Sequence, residues 1–177
     1  MNVRDRLEAI RADITTLAID AIVNAANSGL IPGGGVDGAI RRAAGTKLTE
    51  ETSQIGRCPT GGGVVTKGYD LPARFVIHTA APVWNAGYDE EAQDRLLASC
   101  YASALKLADE RGIATIAFPA IGTGIYGWPA ERAAALAFGA VTRHLSTGGK
   151  QSKVIFCCFS EADRARYQGL IDGLETP

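Results

Sequence analysis

The sequence predicts an α/β fold, a mostly parallel or mixed sheet held between layers of helix. Three observations carry this. Short apolar runs of strand length alternate with stretches of helical periodicity, at least five of each. Two glycine-rich loops, 33–38 and 122–127, each follow an apolar run and open toward a helix. No linker, repeat or low-complexity stretch divides the 177 residues, so the chain reads as one domain, 1–177.

Taken in order, RLEAIR at 6–11 predicts the first strand, ending at Ala12-Asp13-Ile14-Thr15. Residues 19–24 predict the second, and the first glycine loop leads from it into a helix over 36–44. Gly45 is the expected C′ residue of that helix, and Thr46 the expected cap of another reaching Gln54. Strands are predicted over 61–67 and 74–79. The turn GYDLP between them is too short for a crossover helix, so the pair reads as antiparallel or as an irregular edge. A long amphipathic helix follows over 89–111, with Leu96, Leu97, Cys100, Tyr101, Ala104, Leu105 and Ala108 on one side, and Gly112 stops it. ATIAF at 114–118 reads as a buried strand. After the second glycine loop, Pro129 takes the N1 position of a helix running to about Leu145. The last strand is 153–159. Ser160-Glu161-Ala162-Asp163 resembles a capping box, opening a helix with Tyr167, Leu170, Ile171 and Leu174 inward.

Composition excludes several functions. Eighteen basic residues face 19 acidic ones, for a net charge of −1, and no Lys/Arg cluster interleaves with aromatics, so nucleic acid is not a favoured partner. The start, MNVRDRLEAI, lacks the apolar core of a signal peptide, and no uncharged run approaches a membrane span. Cys58, Cys100, Cys157 and Cys158 show no disulfide-framework spacing, which places the chain in a reducing cytoplasm. The histidines are His78, in the apolar run FVIHT, and His144, beside Val141 and Leu145; both read as packed or capping residues. With no HxxxH, CxxC or acidic cluster at ligand spacing, and with Cys157 and Cys158 facing opposite ways, no metal site is expected.

Both glycine loops match GxGxxG, yet neither has a dinucleotide-binding context. Gly33 lies several residues past the strand ending near Asn24, and the acidic residue expected about 20 positions on is missing near Cys58-Pro59 and near Thr147. As a pair they mean more. Two amide-rich loops at the carboxyl ends of strands share the edge where ligands collect, and could bracket a pyrophosphate from both sides. Nucleophilic catalysis has little support, since GxSxG and a cysteine with an evident histidine partner are lacking; GxxxxGK[ST] is missing too.

Individual residues carry paired readings. Asp37, at a helix start, is either a cap or a carboxylate that orients or activates water. Asn27 is either a loop residue satisfying its own backbone or a partner for a ligand hydroxyl. Asn24 reads as structural, holding the loop. Asp13 caps a short turn or accepts from an exocyclic amine such as that of adenine. Phe159 is core or a stacking platform for a base. Tyr126, among glycines with little local core to join, reads as ligand-facing, whereas Trp84 and Trp128 read as packing.

RADIT, IVNAANSGLIPGGGVDGAIRRAAG, CPTG at 58–61, VIHTAAPVW and FPAIGTGIYGWP together resemble a macrodomain, of the MacroD-like branch of O-acetyl-ADP-ribose deacetylases and mono-ADP-ribosyl hydrolases. The resemblance spans nearly the whole chain, and VNAAN with GGGVDGAI is its most specific part. It implies a three-layer α/β/α fold around a six-stranded mixed sheet, with an ADP-ribose cleft at the strand carboxyl ends. Carried over by residue, Asp13 would take the adenine amine, Ile14 would line the adenine pocket and Phe159 would pack near the base. Gly33, Gly34, Gly35 and Val36 would face the pyrophosphate and distal ribose. Gly122, Thr123, Gly124, Ile125 and Tyr126 would close over the phosphates, with Tyr126 against the distal ribose, and Ile121 counts with them as ligand-binding. Asn27 and Asp37 match the pair that positions the distal ribose and the attacking water. The chain departs from the family pattern at Ala12, Pro32, Arg41 (a histidine in AIHRAAG) and Gly122 (a serine in ISTG), none of which replaces Asn27 or Asp37.

The expected function is hydrolysis of O-acetyl-ADP-ribose to ADP-ribose and acetate, together with removal of mono-ADP-ribose from acidic side chains, with no metal or redox cofactor. Mono-ADP-ribosylated proteins are then further partners. The alternative is a module that binds ADP-ribose without turnover. A nicotinamide-dependent oxidoreductase is a third and weaker reading.

Overall fold

Each apolar run forms a strand in the computed structural model of the chain, which describes residues 1–174. The strands are β1 (Leu7–Arg11), β2 (Ala21–Ala26), β3 (Gly63–Lys67), β4 (Phe75–Ala80), β5 (Thr115–Phe118) and β6 (Lys153–Cys158). Five α-helices accompany them: α1 (Gly35–Ala44), α2 (Thr46–Ile55), α3 (Glu90–Glu110), α4 (Ala130–Ser146) and α5 (Glu161–Asp172). The sheet order is β1-β6-β5-β2-β4-β3, with every pairing parallel except β3 against β4. The short GYDLP connection thus makes an antiparallel edge. This is the three-layer α/β/α fold with a six-stranded mixed sheet that the resemblance implied. Residues 175–177 of the expected domain lie outside the described residues.

Strand residues alternate between two cores, as a period of two requires. Val23, Ile77, Ile116, Phe118, Val154 and Phe156 pack against α3, α4 and α5, where Tyr101, Ala134, Val141 and Tyr167 receive them. Ile22, Val76, Ala117, Ile155 and Cys157 face the other way, toward Ile40 and Ala44 of α1 and Leu48 of α2. A parallel sheet covered on both faces needs such continuous apolar runs. Each fully buried Ile, Leu or Phe contributes roughly 1.5–3 kcal/mol. Cys157 and Cys158 fall in opposite cores, and all four cysteines are free and buried.

Several boundaries differ from expectation for identifiable reasons. Asp20 accepts from the Ala114 and Thr115 N–H groups at 2.9 and 3.1 Å, so 19–20 form a tether and the strand starts at Ala21. At the other end the strand runs on to Ala26, so Asn24 sits inside β2 and not at its end. Arg6 leaves the first strand for a 3-10 turn, and its guanidinium binds the carbonyls of Leu145, in the last turn of α4, and of Gly149 and Gln151 beyond it. Gly45, at φ +87°, closes α1 through Arg41 O and also precedes α2, making Thr46 the first helical residue instead of the cap. Pro129 is the N-cap of α4 rather than N1. Ser160 does cap α5, accepting from Asp163 N–H at 3.2 Å. Among the described residues, no helix is long and apolar enough to cross a membrane.

Candidate functional site

Because β1, β6, β5 and β2 are adjacent and parallel, the segments that leave their carboxyl ends lie side by side along one sheet edge. Asp13 and Ile14 follow β1, Phe159 follows β6, the second glycine loop follows β5 and the first follows β2. They enclose a cavity of about 1040 Å³, at the upper end of the usual size of ligand clefts. All the sequence-predicted ligand residues line it except one. Ile121 is the correction: it is fully buried in the core under α3 and α4, and its N–H faces Pro119 O and Tyr101 Oη. Its neighbours Ala120 and Gly122 line the cleft, while the Ile121 side chain turns into the core.

The second loop is shaped for close approach. Gly122 stands at φ +85°, and a Cβ there would come within 2.7 Å of Trp128 Cδ1. Trp128 is held by its indole N–H on Pro82 O and by Trp84, with ring centroids 4.8 Å apart, so both tryptophans are packing residues. Among the described residues, the N–H groups of Gly124, Ile125 and Tyr126 donate to no protein acceptor. Three unpaired amides beside a cleft form a concavity suited to an anion. Tyr126 is half-buried, resting on the core and lining the cavity. Ile125 is 96% exposed.

At the β1 and β6 end, the Asp13 side chain accepts from Thr15 N–H and Oγ1–H at 2.9 and 2.7 Å. The Thr15 hydroxyl, then its amide, holds the carboxyl below its ordinary value. Both readings of Asp13 therefore meet: it caps the turn at 14–16 and also lines the cavity. Phe159 is 94% exposed and belongs to no core, which leaves it as a bare aromatic face at the cavity rim.

At the β2 end, the carboxamide of Asn27 clips the loop, donating to Ile31 O at 2.7 Å and accepting from Ile31 N–H at 3.1 Å. Asp37 is the third residue of α1, whose N-cap is Gly34. Its cap-like role is to reach back to Gly33 N–H, at 2.7 Å from Oδ2. Oδ2 also accepts from Arg41 Nε at 3.0 Å, and Oδ1 accepts from Asn24 Nδ2 at 2.7 Å. A Cβ placed on Gly33 would lie 3.6 Å from Asp37 Oδ2 and 3.8 Å from Asn27 Nδ2, so both polar groups border the space over that glycine. Gly38 permits this loop to fold down, since a Cβ there would come within 2.9 Å of Gly33 O.

Sequence reasoning overlooked Arg42 and Cys157 as lining residues. Arg42 is exposed on α1 near Gly38 and, among the described residues, has no hydrogen bond or ion pair. Burial pushes the Cys157 thiol up to about 11, so it is a packed wall and not a nucleophile. Its place was implicit in the alternation of β6, which brings 155, 157 and then 159 to the cleft side. His78 is packed, as expected, but it is also joined to the site through Asn24. Among the described residues, no group of three or more His, Cys, Asp or Glu is arranged to hold a metal ion.

A mixed α/β/α protein whose glycine loops enclose a deep cleft at the strand carboxyl ends is of the class that places its ligand at that edge. The chain belongs to the macro domain family, whose profile matches residues 23–137. A macro domain-containing protein of Chlorobaculum tepidum is 58% identical over 162 residues, 92% of this chain and 93% of that protein. An O-acetyl-ADP-ribose deacetylase of Klebsiella pneumoniae is 49% identical over 168 residues, covering 93% of this chain and 95% of its own. A mutant of the Oceanobacillus iheyensis macrodomain, with ADPR, has a TM-score of 0.91 at 39% identity and covers 97% of this chain and 95% of its own.

Proposed function

We propose that this protein binds ADP-ribose in the cleft and hydrolyses esters attached to it, releasing acetate from O-acetyl-ADP-ribose and freeing acidic side chains that carry mono-ADP-ribose. The observation that carries the reading is the shared space over Gly33, bordered by the Asp37 carboxylate and the Asn27 carboxamide. In this scheme the free amides of Gly124, Ile125 and Tyr126 take the pyrophosphate, and Phe159 and Asp13 take the adenine. Asn27 keeps one N–H and one oxygen lone pair beyond its clip, enough to bond a ribose hydroxyl. A carboxylate has about four lone-pair sites, and three are filled in Asp37, leaving one on Oδ1 to hold a water. That water adds to the acyl carbon, the bond from acyl carbon to ribose oxygen breaks, and the ribose oxygen takes the proton. Substrate phosphate assists as the base. The deacetylase names of relatives support this reading, and four free thiols support a cytoplasmic setting.

One observation favours the alternative, a module that binds without turnover. Asp37 is 4% exposed and already accepts three N–H bonds, which a purely structural carboxylate would also do. Turnover of O-acetyl-ADP-ribose by wild type and Asp37→Ala, measured beside ADP-ribose binding, separates the two. Hydrolysis by wild type that falls in Asp37→Ala while binding persists is the expected result. Binding without hydrolysis in wild type leaves the module, and equal turnover in both proteins removes Asp37 from its role.

A further inference from the structure

Two of the three donors on Asp37 come from its own segment, Gly33 N–H and Arg41 Nε. The third comes from the sheet. Asn24 lies within β2 with no exposure, directly across from His78 in the register of β2 on β4. Its Nδ2 is 2.7 Å from Asp37 Oδ1 and 3.1 Å from His78 Nδ1. His78 is also fully buried, and its Nε2 is 2.9 Å from Thr66 Oγ1 on β3, which lies 3.1 Å from Lys67 O.

The proton directions follow from the inventory of donors. A carboxylate only accepts, so Asn24 presents its NH2 to Asp37, and its second N–H goes to His78. His78 Nδ1 then accepts, the ring proton sits on Nε2, Thr66 receives it, and the Thr66 hydroxyl donates to Lys67 O. Burial, aided by the nearby Arg41 charge and opposed by Asp37, lowers the imidazole to about 4, which keeps this neutral tautomer at ordinary pH. Among the described residues, the carbonyl oxygen of Asn24 meanwhile has no partner. A buried orphan acceptor costs roughly 1–3 kcal/mol. An apolar residue would avoid that cost, so the two N–H groups are what Asn24 supplies here.

We propose that Asn24 and His78 are positioning residues for Asp37: the relay Thr66–His78–Asn24 grips Oδ1 from the sheet while Arg41 and Gly33 grip Oδ2, and together they set how the carboxylate faces the cleft. The consequence for turnover rests on the hydrolase reading above; the relay itself does not. The arrangement has a purpose in either case, because a carboxylate held by one oxygen alone could swing about its terminal torsion.

Two substitutions at one position discriminate relay from packing. In His78→Asn the side-chain oxygen occupies the place of Nδ1 and still accepts from Asn24. In His78→Gln the amide occupies the place of Nε2, and Asn24 loses its acceptor. With O-acetyl-ADP-ribose, His78→Gln is expected to lose about tenfold to a hundredfold in kcat with KM and ADP-ribose affinity little changed, and His78→Asn to recover most of that loss. Equal losses in the two variants, or losses that follow thermal stability, overturn the proposal. The 15N spectrum of His78 gives a readout that needs no turnover. At pH 7 it is expected to show an unprotonated Nδ1 whose shift moves in Asn24→Ser, and an Nδ1–H tautomer overturns the relay. If wild type hydrolyses nothing, the hydrolase reading alone fails and this spectrum still decides the relay.

Discussion

Arg41 Nε donates to Asp37 Oδ2 at 3.0 Å, one helical turn away, and the two side chains are only 6% and 5% exposed. The guanidinium is further bonded to Thr49 Oγ1, Thr52 Oγ1 and Leu30 O, so one side chain ties α1 to α2 and to the loop before Gly33. A buried pair of this kind adds little by existing, since desolvation offsets attraction, but removing one partner is costly. Arg41→Met is expected to lower stability by roughly 3–5 kcal/mol in urea unfolding. Arg41→Lys recovers only part of this, because an ammonium cannot serve four acceptors in a fixed fork. A loss below about 1 kcal/mol in Arg41→Met would count against the pair as an anchor.

His78 makes stability depend on acid. Its folded value of about 4 lies below its ordinary 6.5, chiefly through burial. The unfolded chain therefore binds the proton first, and between pH 6.5 and 4 acid favours unfolding. The contribution is whole above the upper value and is lost by the lower one, about 3 kcal/mol in all. His78→Gln should flatten the pH dependence of the urea midpoint across that window, and an unchanged slope would refute the assignment.

Gly122 and Gly124 of the second loop should respond differently to a methyl group. Gly122→Ala meets both φ +85° and the Trp128 ring, whereas nothing lies within 4 Å of a Cβ on Gly124. The first substitution is expected to cost roughly 1–3 kcal/mol and to weaken ADP-ribose binding by moving the free amides. The second should stay within about 0.5 kcal/mol. Calorimetry of unfolding and of binding reads both, and similar behaviour in the two variants would mean that the loop is not held by Trp128.

Phe159→Ala separates binding from folding. With 94% exposure, the ring supports no core, so thermal stability should not move. If the ring stacks on adenine, ADP affinity falls by roughly 1–3 kcal/mol, about fivefold to a hundredfold. Ribose 5-phosphate, which has no base, should bind wild type and variant alike. Unaltered ADP affinity would remove Phe159 from the site.

Much of this was legible in the chain. Continuous apolar runs such as VIFCC and period-3.6 stretches such as 89–111 report burial directly, because which residues leave water depends on local geometry. The glycine loops, Asn27, Asp37 and Phe159 could be singled out because residues with no local core to join, or with special backbone freedom, stand out against that periodicity. Boundaries were less legible. Asp20 moves the start of β2 to Ala21 by bonding to Ala114 and Thr115, partners more than 90 positions away that no local pattern announces.

By itself, then, the sequence determined the class of fold, the two loops and the polar residues that border them, since these follow from local propensity and hydrophobic pattern. Tertiary structure alone decided what Asn24, His78 and Arg41 do. In the chain they are a strand end, a packed histidine and a departure from a family pattern. Parallel pairing sets Asn24 beside His78, and the docking of α1 on that sheet face brings Asp37 within reach of both the amide and the guanidinium. A hydrogen bond extends about 3 Å, so only the packing of β2, β4 and α1 could reveal that Asp37, the residue on which the proposed chemistry turns, is held from two sides.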